Sequence, residues 1–374
     1  AAPVAGDPDH PGWLAGLPFG VKDLTAVAGV RTTSGSLAFK DHVPDATDPL
    51  IARLEARCGV VIGKTNTPEF GAGGNTWNHV FGYTRNPWNT ALNAGGSSGG
   101  AAVSLAAGQV WLSHGSDLAG SIRTPAAYSG VVGLRPSPGR CGGAPEAHGF
   151  NIEAVQGPMA RSVADVALFL DAMAGYDPIW PVSIEAPAQP FQAAVARATP
   201  NIRLGYAPDL GGFGHVDPVI RDAMDRALRA VERAGGTVDL ACPDLPDLER
   251  TYLTLRAMFW AALPGRAPAQ VQAHYKPTLR QNIAQGLTLP AAAIYDAQIA
   301  RTRLYHACRI FLETHDALAF PVIGVPAGPV EQEYPPEIGG QPVTDYVDWL
   351  KFSFLSVATS LPALLGRITE DGMR

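Results

Sequence analysis

Three short stretches carry the residue types that can do covalent chemistry. Residues 16–24 (GLPFGVKDL) set Lys22 among apolar neighbours. Residues 95–100 (GGSSGG) hold Ser97 and Ser98 where the backbone bends freely, and residues 115–123 (GSDLAGSIR) hold Ser116 and Ser121 in a second run of small residues. Serine is a poor nucleophile at its ordinary pKa and needs a base beside it. Lysine is such a base only when burial or a nearby cation keeps its amine neutral. Phe19, Val21 and Leu24 offer Lys22 that burial. A second serine can relay the proton between a lysine and a nucleophile that the lysine does not touch. Taken singly, each piece has a plainer reading: a surface lysine, a flexible loop, a helix-capping serine.

Rival chemistries fit less well. A glycine-rich loop before a helix also gathers backbone N–H groups around a phosphate. However, GGSSGG lacks the GK[ST] ending of a P-loop, and no G-x-G-x-x-G follows a strand here. Residues 96–100 formally match the G-x-S-x-G elbow, with Ser98 at the centre. That motif needs a buried strand before it, and residues 89–94 (NTALNA) are poor strand material. It also needs a histidine, and His274, His306 and His315 lie in no recognisable loop context. An α/β-hydrolase-type esterase using Ser98 stands as an alternative. Lys64, after the apolar run at 59–63 (GVVIG), is a rival base better read as supporting structure. The four cysteines are far apart and form no CxxC pair, so neither a zinc site nor a disulfide scaffold is expected, and a reducing compartment follows.

These side chains need a large buried scaffold to hold them. The chain has 374 residues, 46% of them apolar and only 17% charged, which excludes a disordered chain. A net charge of −6 argues against sequence-independent nucleic-acid binding. No charged residue falls between Arg85 and Asp117, but Asn, Gly, Ser and Pro87 mark that run as the centre of a soluble domain rather than a membrane span. Residues 1–10 lack the basic and apolar regions of a signal peptide. Strands are expected at 59–63, 202–206, 237–240 and 317–325, and helices at 48–58, 99–112, 161–175 and 216–234. This alternation favours an α/β architecture. Residues 241–316 are more helical, with Tyr252, Phe259 and Trp260 as candidate exposed aromatics, and read either as a cap over the site or as the outer helices of the same domain.

Jointly, the three stretches resemble the amidase signature family of serine hydrolases. The spacings are 75 residues from Lys22 to Ser97 and 24 from Ser97 to Ser121. The resemblance continues through residues 63–70 (GKTNTPEF), 85–88 (RNPW), 133–137 (GLRPS) and 157–165 (GPMARSVAD), and covers roughly residues 16–170. It implies a mixed, twisted β-sheet with helices on both faces, in a single amidase domain over 1–374. Ser121 would be the nucleophile, Ser97 in a cis peptide the proton shuttle, and Lys22 the base. The backbone N–H groups of Leu118, Ala119, Gly120 and Ser121 would form the oxyanion hole, with Asp117 and Arg123 stabilising the loop. No metal or cofactor is implied.

The substrate implied is a small amide, or a carbamate or ester cleaved by the same acyl-enzyme chemistry, with apolar or aryl groups favoured. Asn75, Trp77, Phe259 and Trp260 are its candidate contacts; His79, Trp88 and Met258 lie in the same stretches. The amide-cleaving subunit of a tRNA-dependent amidotransferase is the alternative; it would need partners and glutamine, and no basic docking face is evident. A non-catalytic binding relative is disfavoured because all three catalytic candidates are present. A cytoplasmic monomer or homodimer, with neither nucleic acid nor membrane as partner, is expected. Two departures stand out. The family commonly has Thr-Gly-Gly where this chain has Leu118-Ala119-Gly120, so Ala119 would restrict positive φ there. The family's pattern also breaks off after residues 360–364 (SLPAL), and the C-terminal part reads as incomplete.

Overall fold

The structure is a computed structural model that describes residues 6–142 and 148–366, with the backbone of 368–369 and 372–373. The opening residues 1–5, residues 143–147 of the motif-bearing region, and part of the tail where the family's pattern breaks off lie outside the described residues. The first half comprises β1 (Pro18–Lys22), α1 (Pro49–Ala56), β2 (Val60–Thr65), α2 (Gly99–Ala106), β3 (Leu112–Asp117), α3 (Arg123–Ser129), β4 (Val132–Arg135), β5 (Val155–Ala160) and α4 (Val163–Met173). The second half adds β6 (Arg203–Tyr206), α5 (Pro218–Arg233), β7 (Thr237–Leu240), α6 (Leu248–Ala262), α7 (Pro277–Leu287), α8 (Ala291–Phe311), β8 (Ala317–Ala319) and β9 (Ala363–Leu365), with shorter helices between them.

The main sheet runs β9-β4-β5-β3-β1-β2. β1 lies parallel to β2 and β3, while β5 is antiparallel to β3 and β4, so the sheet is mixed. Side chains alternate along a strand. Phe19 and Val21 of β1 therefore share one face, where they join Leu50, Leu54, Phe169 and Leu170 from α1 and α4. Gly20 and Lys22 look to the other face, the side of α2 and α3, where Ala101, Leu105, Ile122 and Ala126 pack with Met159. Helices thus cover both faces of an α/β sheet.

Local chemistry sets the helix starts. The Asp48 carboxylate accepts the Leu50 N–H at 2.9 Å, and Pro49 takes the first helical position, together nucleating α1. The Ser162 hydroxyl accepts the Asp165 N–H at 3.1 Å to start α4. α2 needs its glycines: a Cβ at Gly100 would sit 2.2 Å from the Asn66 backbone nitrogen. Only a small-residue helix approaches the strand ends that closely.

Two expected elements are shorter than their hydropathy suggests. The helix expected over 99–112 stops at Ala106, because the chain turns at Gly108 (φ +70°) and Leu112 already begins β3. The strand expected over 317–325 ends at Ala319, ahead of Pro321, which has no N–H for a ladder. The small parallel sheet β8-β6-β7 and the helices α6, α7 and α8 make up the second half. Tyr252 and Trp260 are buried there rather than exposed, at 0% and 3%. Among the described residues, no helix is long and apolar enough to cross a membrane.

Candidate active site

Lys22 ends β1 on the α2 side of the sheet and is fully buried. Its Nζ meets Ser97 Oγ at 2.7 Å, Ser98 Oγ at 2.9 Å, and Ser116 through Oγ at 3.0 Å and the carbonyl at 3.3 Å. Burial pulls the ammonium down to about 7 against the pull of the Asp117 carboxylate. As an ammonium, Lys22 donates to these oxygens; as an amine it keeps two N–H groups and one lone pair. The Ser98 hydroxyl gives its hydrogen to the Ser116 carbonyl at 3.3 Å, so its oxygen is left to accept from Lys22. Ser116 Oγ can accept the second N–H. The lone pair then faces Ser97, the hydroxyl 2.7 Å away, which is the direction proton uptake requires.

Ser97 follows Gly96 across a cis peptide, as the resemblance implies, and both Ser97 and Ser98 are buried. The Ser98 N–H donates to the Ser121 carbonyl at 3.0 Å, which seats this turn against the loop of the third motif. Ser121 lies two residues before α3 and is 7% exposed. Residues 115–117 are the end of β3, not part of a loop. His114 on that strand, a residue with no expected role, is held neutral by burial, which lowers it to about 3; its Nε2 pairs with Gln156 and its Nδ1 accepts the backbone N–H of Lys22 at 3.4 Å.

The Asp117 carboxylate is the anchor of the 118–122 loop. It accepts N–H groups from Gly120 at 2.9 Å and Ile122 at 3.2 Å, and both Nε and Nη2 of Arg123 at 3.0 Å. Burial alone would raise its pKa, but the Arg123 guanidinium, with Arg135 behind it, holds it well below the usual carboxylate range. The Gly120 N–H is already given to Asp117, which leaves Leu118, Ala119 and Ser121 as the donors without a protein acceptor among the described residues. The positive φ (+82°) falls at Gly120, and Ala119 is not among the residues with φ above zero, so its Cβ is no obstacle.

The other candidates separate into two groups. Leu118, Phe70 and Phe259 pack around the buried Ala72, Trp260 and Tyr275, so the aromatic wall touches the 118–122 loop directly. His148 stacks on Phe259 with ring centroids 6.1 Å apart. Asn75 and Trp77, by contrast, are used in structure. Asn75 Nδ2 donates to the Val330 and Gln332 carbonyls at 2.8 and 2.9 Å, and Trp77 stacks on Tyr83 in a hairpin with His79 at its edge. Trp88 is exposed and spends its indole N–H on the Ser129 carbonyl.

Lys64 is engaged with the Thr25 carbonyl, Thr32 Oγ1 and, at 3.6 Å, Asp23, away from the serines. Nor does the elbow reading of Ser98 survive: no strand leads directly into Ser98, its hydroxyl faces Lys22, and no histidine contacts it among the described residues. A separate cleft of about 700 Å³, lined by Arg250, Leu253, Thr254, Thr344 and Asp348, contains none of the three catalytic candidates. Arg135, within residues 133–137 (GLRPS), could have been singled out from its motif; Tyr252, expected as an exposed aromatic, is instead buried and donates its hydroxyl to the Leu118 carbonyl at 3.3 Å.

Known proteins resemble this chain in sequence and in fold. The Amidase family model matches residues 4–373. An acylamidase from Rhodococcus erythropolis is 35% identical over 373 residues, covering 96% of this chain and 76% of the relative. A glutamyl-tRNA(Gln) amidotransferase subunit from Thermus thermophilus is 39% identical over 282 residues, covering 75% of this chain; the chain spans 57% of that relative's length. Among solved structures, a bacterial aryl acylamidase of the amidase signature family superposes with a TM-score of 0.86 at 27% identity, covering 96% of this chain and 77% of the other. A 6-aminohexanoate cyclic dimer hydrolase superposes with a TM-score of 0.82 at 25% identity, with coverages of 96% and 80%. Likeness along nearly the whole chain makes this chain a member of the amidase family, the amidase signature enzymes.

Proposed function

We propose that the protein is a serine amidase that cleaves the C–N bond of a small linear amide through an acyl-enzyme on Ser121. The observation that carries this reading is the buried Lys22 amine 2.7 Å from Ser97 Oγ, beside the loop that presents Ser121. Ser121 Oγ attacks the carbonyl carbon and passes its proton to Ser97 Oγ as the Ser97 proton moves to Lys22 Nζ. The carbonyl oxygen becomes an oxyanion facing the N–H groups of Leu118, Ala119 and Ser121. When the C–N bond breaks, the proton returns from Lys22 through Ser97 to the leaving nitrogen. Water then attacks the Ser121 ester by the same relay, and the carboxylic acid leaves. Carbamates and esters fit the same course.

The aromatic wall beside Leu118 favours an aryl or other flat apolar group, in keeping with a relative named an acylamidase and a structural neighbour named an aryl acylamidase. We read residues 1–374 as one amidase domain in which the 241–316 segment walls the substrate site. Four free cysteines suit a reducing compartment, the cytoplasm. The amidotransferase reading predicts glutamine as substrate and a stable partner complex.

A serine-directed fluorophosphonate, followed by intact mass and peptide mapping, tests the assignment. One adduct on Ser121, absent in Ser121→Ala and slowed in Lys22→Ala, is expected. An adduct on Ser98, or none on folded protein, would overturn it.

A further inference from the structure

The loop from Asp117 to Ile122 can be followed one peptide at a time. A trans peptide points its C=O and N–H in opposite directions, so fixing either end aims the other. The Asp117 carbonyl accepts from the Arg135 guanidinium, which turns the Leu118 N–H the other way. The Gly120 N–H is held by the Asp117 carboxylate. The Gly120 carbonyl accepts the Thr124 N–H at 2.7 Å, which aims the Ser121 N–H away from α3. The Ser121 carbonyl accepts from the Ser98 N–H, while the Ile122 N–H goes to Asp117. Each of these four peptides is pinned by a residue between 98 and 135.

The fifth peptide, Leu118–Ala119, is pinned from elsewhere. Its carbonyl accepts the Tyr252 hydroxyl at 3.3 Å, across 134 residues of sequence. Tyr252 is fully buried on α6, and its ring stacks on Phe354 with centroids 3.7 Å apart and planes 15° from parallel. The hydroxyl therefore has little freedom to leave that carbonyl. The group aimed by this contact is the Ala119 N–H, one of the three donors left without a protein acceptor among the described residues.

We propose that Tyr252 is a positioning residue for catalysis: its hydroxyl turns the Leu118–Ala119 peptide so that the Ala119 N–H meets the oxyanion. This rests on the reading of Ser121 as nucleophile. The helix from the half of the chain that carries no signature motif thereby sets the strength of the oxyanion hole, besides walling the substrate. A bond of 3.3 Å is long at rest, and such contacts tighten as charge develops.

Tyr252→Phe keeps the ring on Phe354 and removes only the donor. The readout is the second-order rate of fluorophosphonate labelling of Ser121, measured well below the melting temperature. A fall of about tenfold is expected, from one lost hydrogen bond acting on an oxyanion donor. With an amide substrate, the same fall should appear in kcat with KM changed less than twofold. Phe354→Leu is the control: it loosens the stack and lowers the melting temperature while keeping the hydroxyl, so its labelling rate should stay above that of Tyr252→Phe. A labelling rate of Tyr252→Phe within twofold of wild type would overturn the proposal while leaving the nucleophile in place. Failure of the wild type to label at Ser121 would instead remove the reading of the site, and this proposal with it.

Discussion

Around Lys22 the protein buries charge and small polar residues; around Trp260 it buries rings. The first region packs Lys22, Ser97, Ser98, His114, Asp117, Arg123 and Arg135 at 4% exposure or less. Its contacts are hydrogen bonds with fixed directions, so single atoms matter there. The second region gathers Tyr275, Leu279 and Ile283 about Trp260, with Phe70 and Phe259 at the edge. Its contacts are dispersion and area, which tolerate exchange as long as volume is kept. The two meet at Leu118–Ser121, where the loop's acceptors come from one side and its apolar contacts from the other. Reaction type is thus written in direction-dependent contacts, and substrate range in shape.

Changes on the two sides should differ accordingly. The largest effect is expected for Lys22→Met, which fills the same space without a base: kcat/KM should fall by about a thousandfold or more. In the wild type, kcat/KM should rise tenfold per pH unit up to about 7 and then level, because the free enzyme needs the neutral amine. A profile flat from pH 5 to 9 would break the link between Lys22 and the reaction. Next comes Asp117→Asn, which leaves two buried guanidinium groups without their anion. It should cost about 3–5 kcal/mol of stability in denaturant titrations, and an unchanged midpoint would show the network to be dispensable. The smallest and most selective effect belongs to Phe259→Ala. The ratio of kcat/KM for an aryl amide over its acetyl counterpart should drop about tenfold, with the acetyl substrate scarcely changed. Equal losses on both substrates would place Phe259 in folding rather than recognition.

The meeting of Lys22 with Ser97 was legible because both sit in motifs whose small neighbours are demanded by close backbone approach, as at Gly100. The strand that carries Ser116 was hidden: LSHGSD is buried on both sides, so it shows no alternation, and the apolar run before it extends the helical pattern past Gly108. The engagement of the Gly120 N–H by Asp117 depends on three-residue loop geometry that composition does not encode. Tyr252 was the hardest to find. On α6 it is one of several apolar residues at helical spacing, and its partner lies 134 residues away. The hold of Asn75 Nδ2 on the Val330 and Gln332 carbonyls was equally hidden, since those partners lie 255 and 257 residues away in sequence.

The buried lysine also couples durability to alkalinity. In the unfolded chain its amine titrates near the ordinary 10.5, but in the native state near 7. Between these values the unfolded chain binds a proton that the folded one does not, so this group makes unfolding harder as pH rises across that window. Below about 7 both forms are protonated, and the full burden of a buried ammonium falls on the native fold. Resistance to heat should therefore go on rising from neutral to mildly alkaline buffer, over a range where kcat/KM has already levelled. Lys22→Met should remove the part of that dependence that sets in near pH 7, leaving the later part from Lys64, and melt higher than wild type at pH 6, a hardier protein with no base.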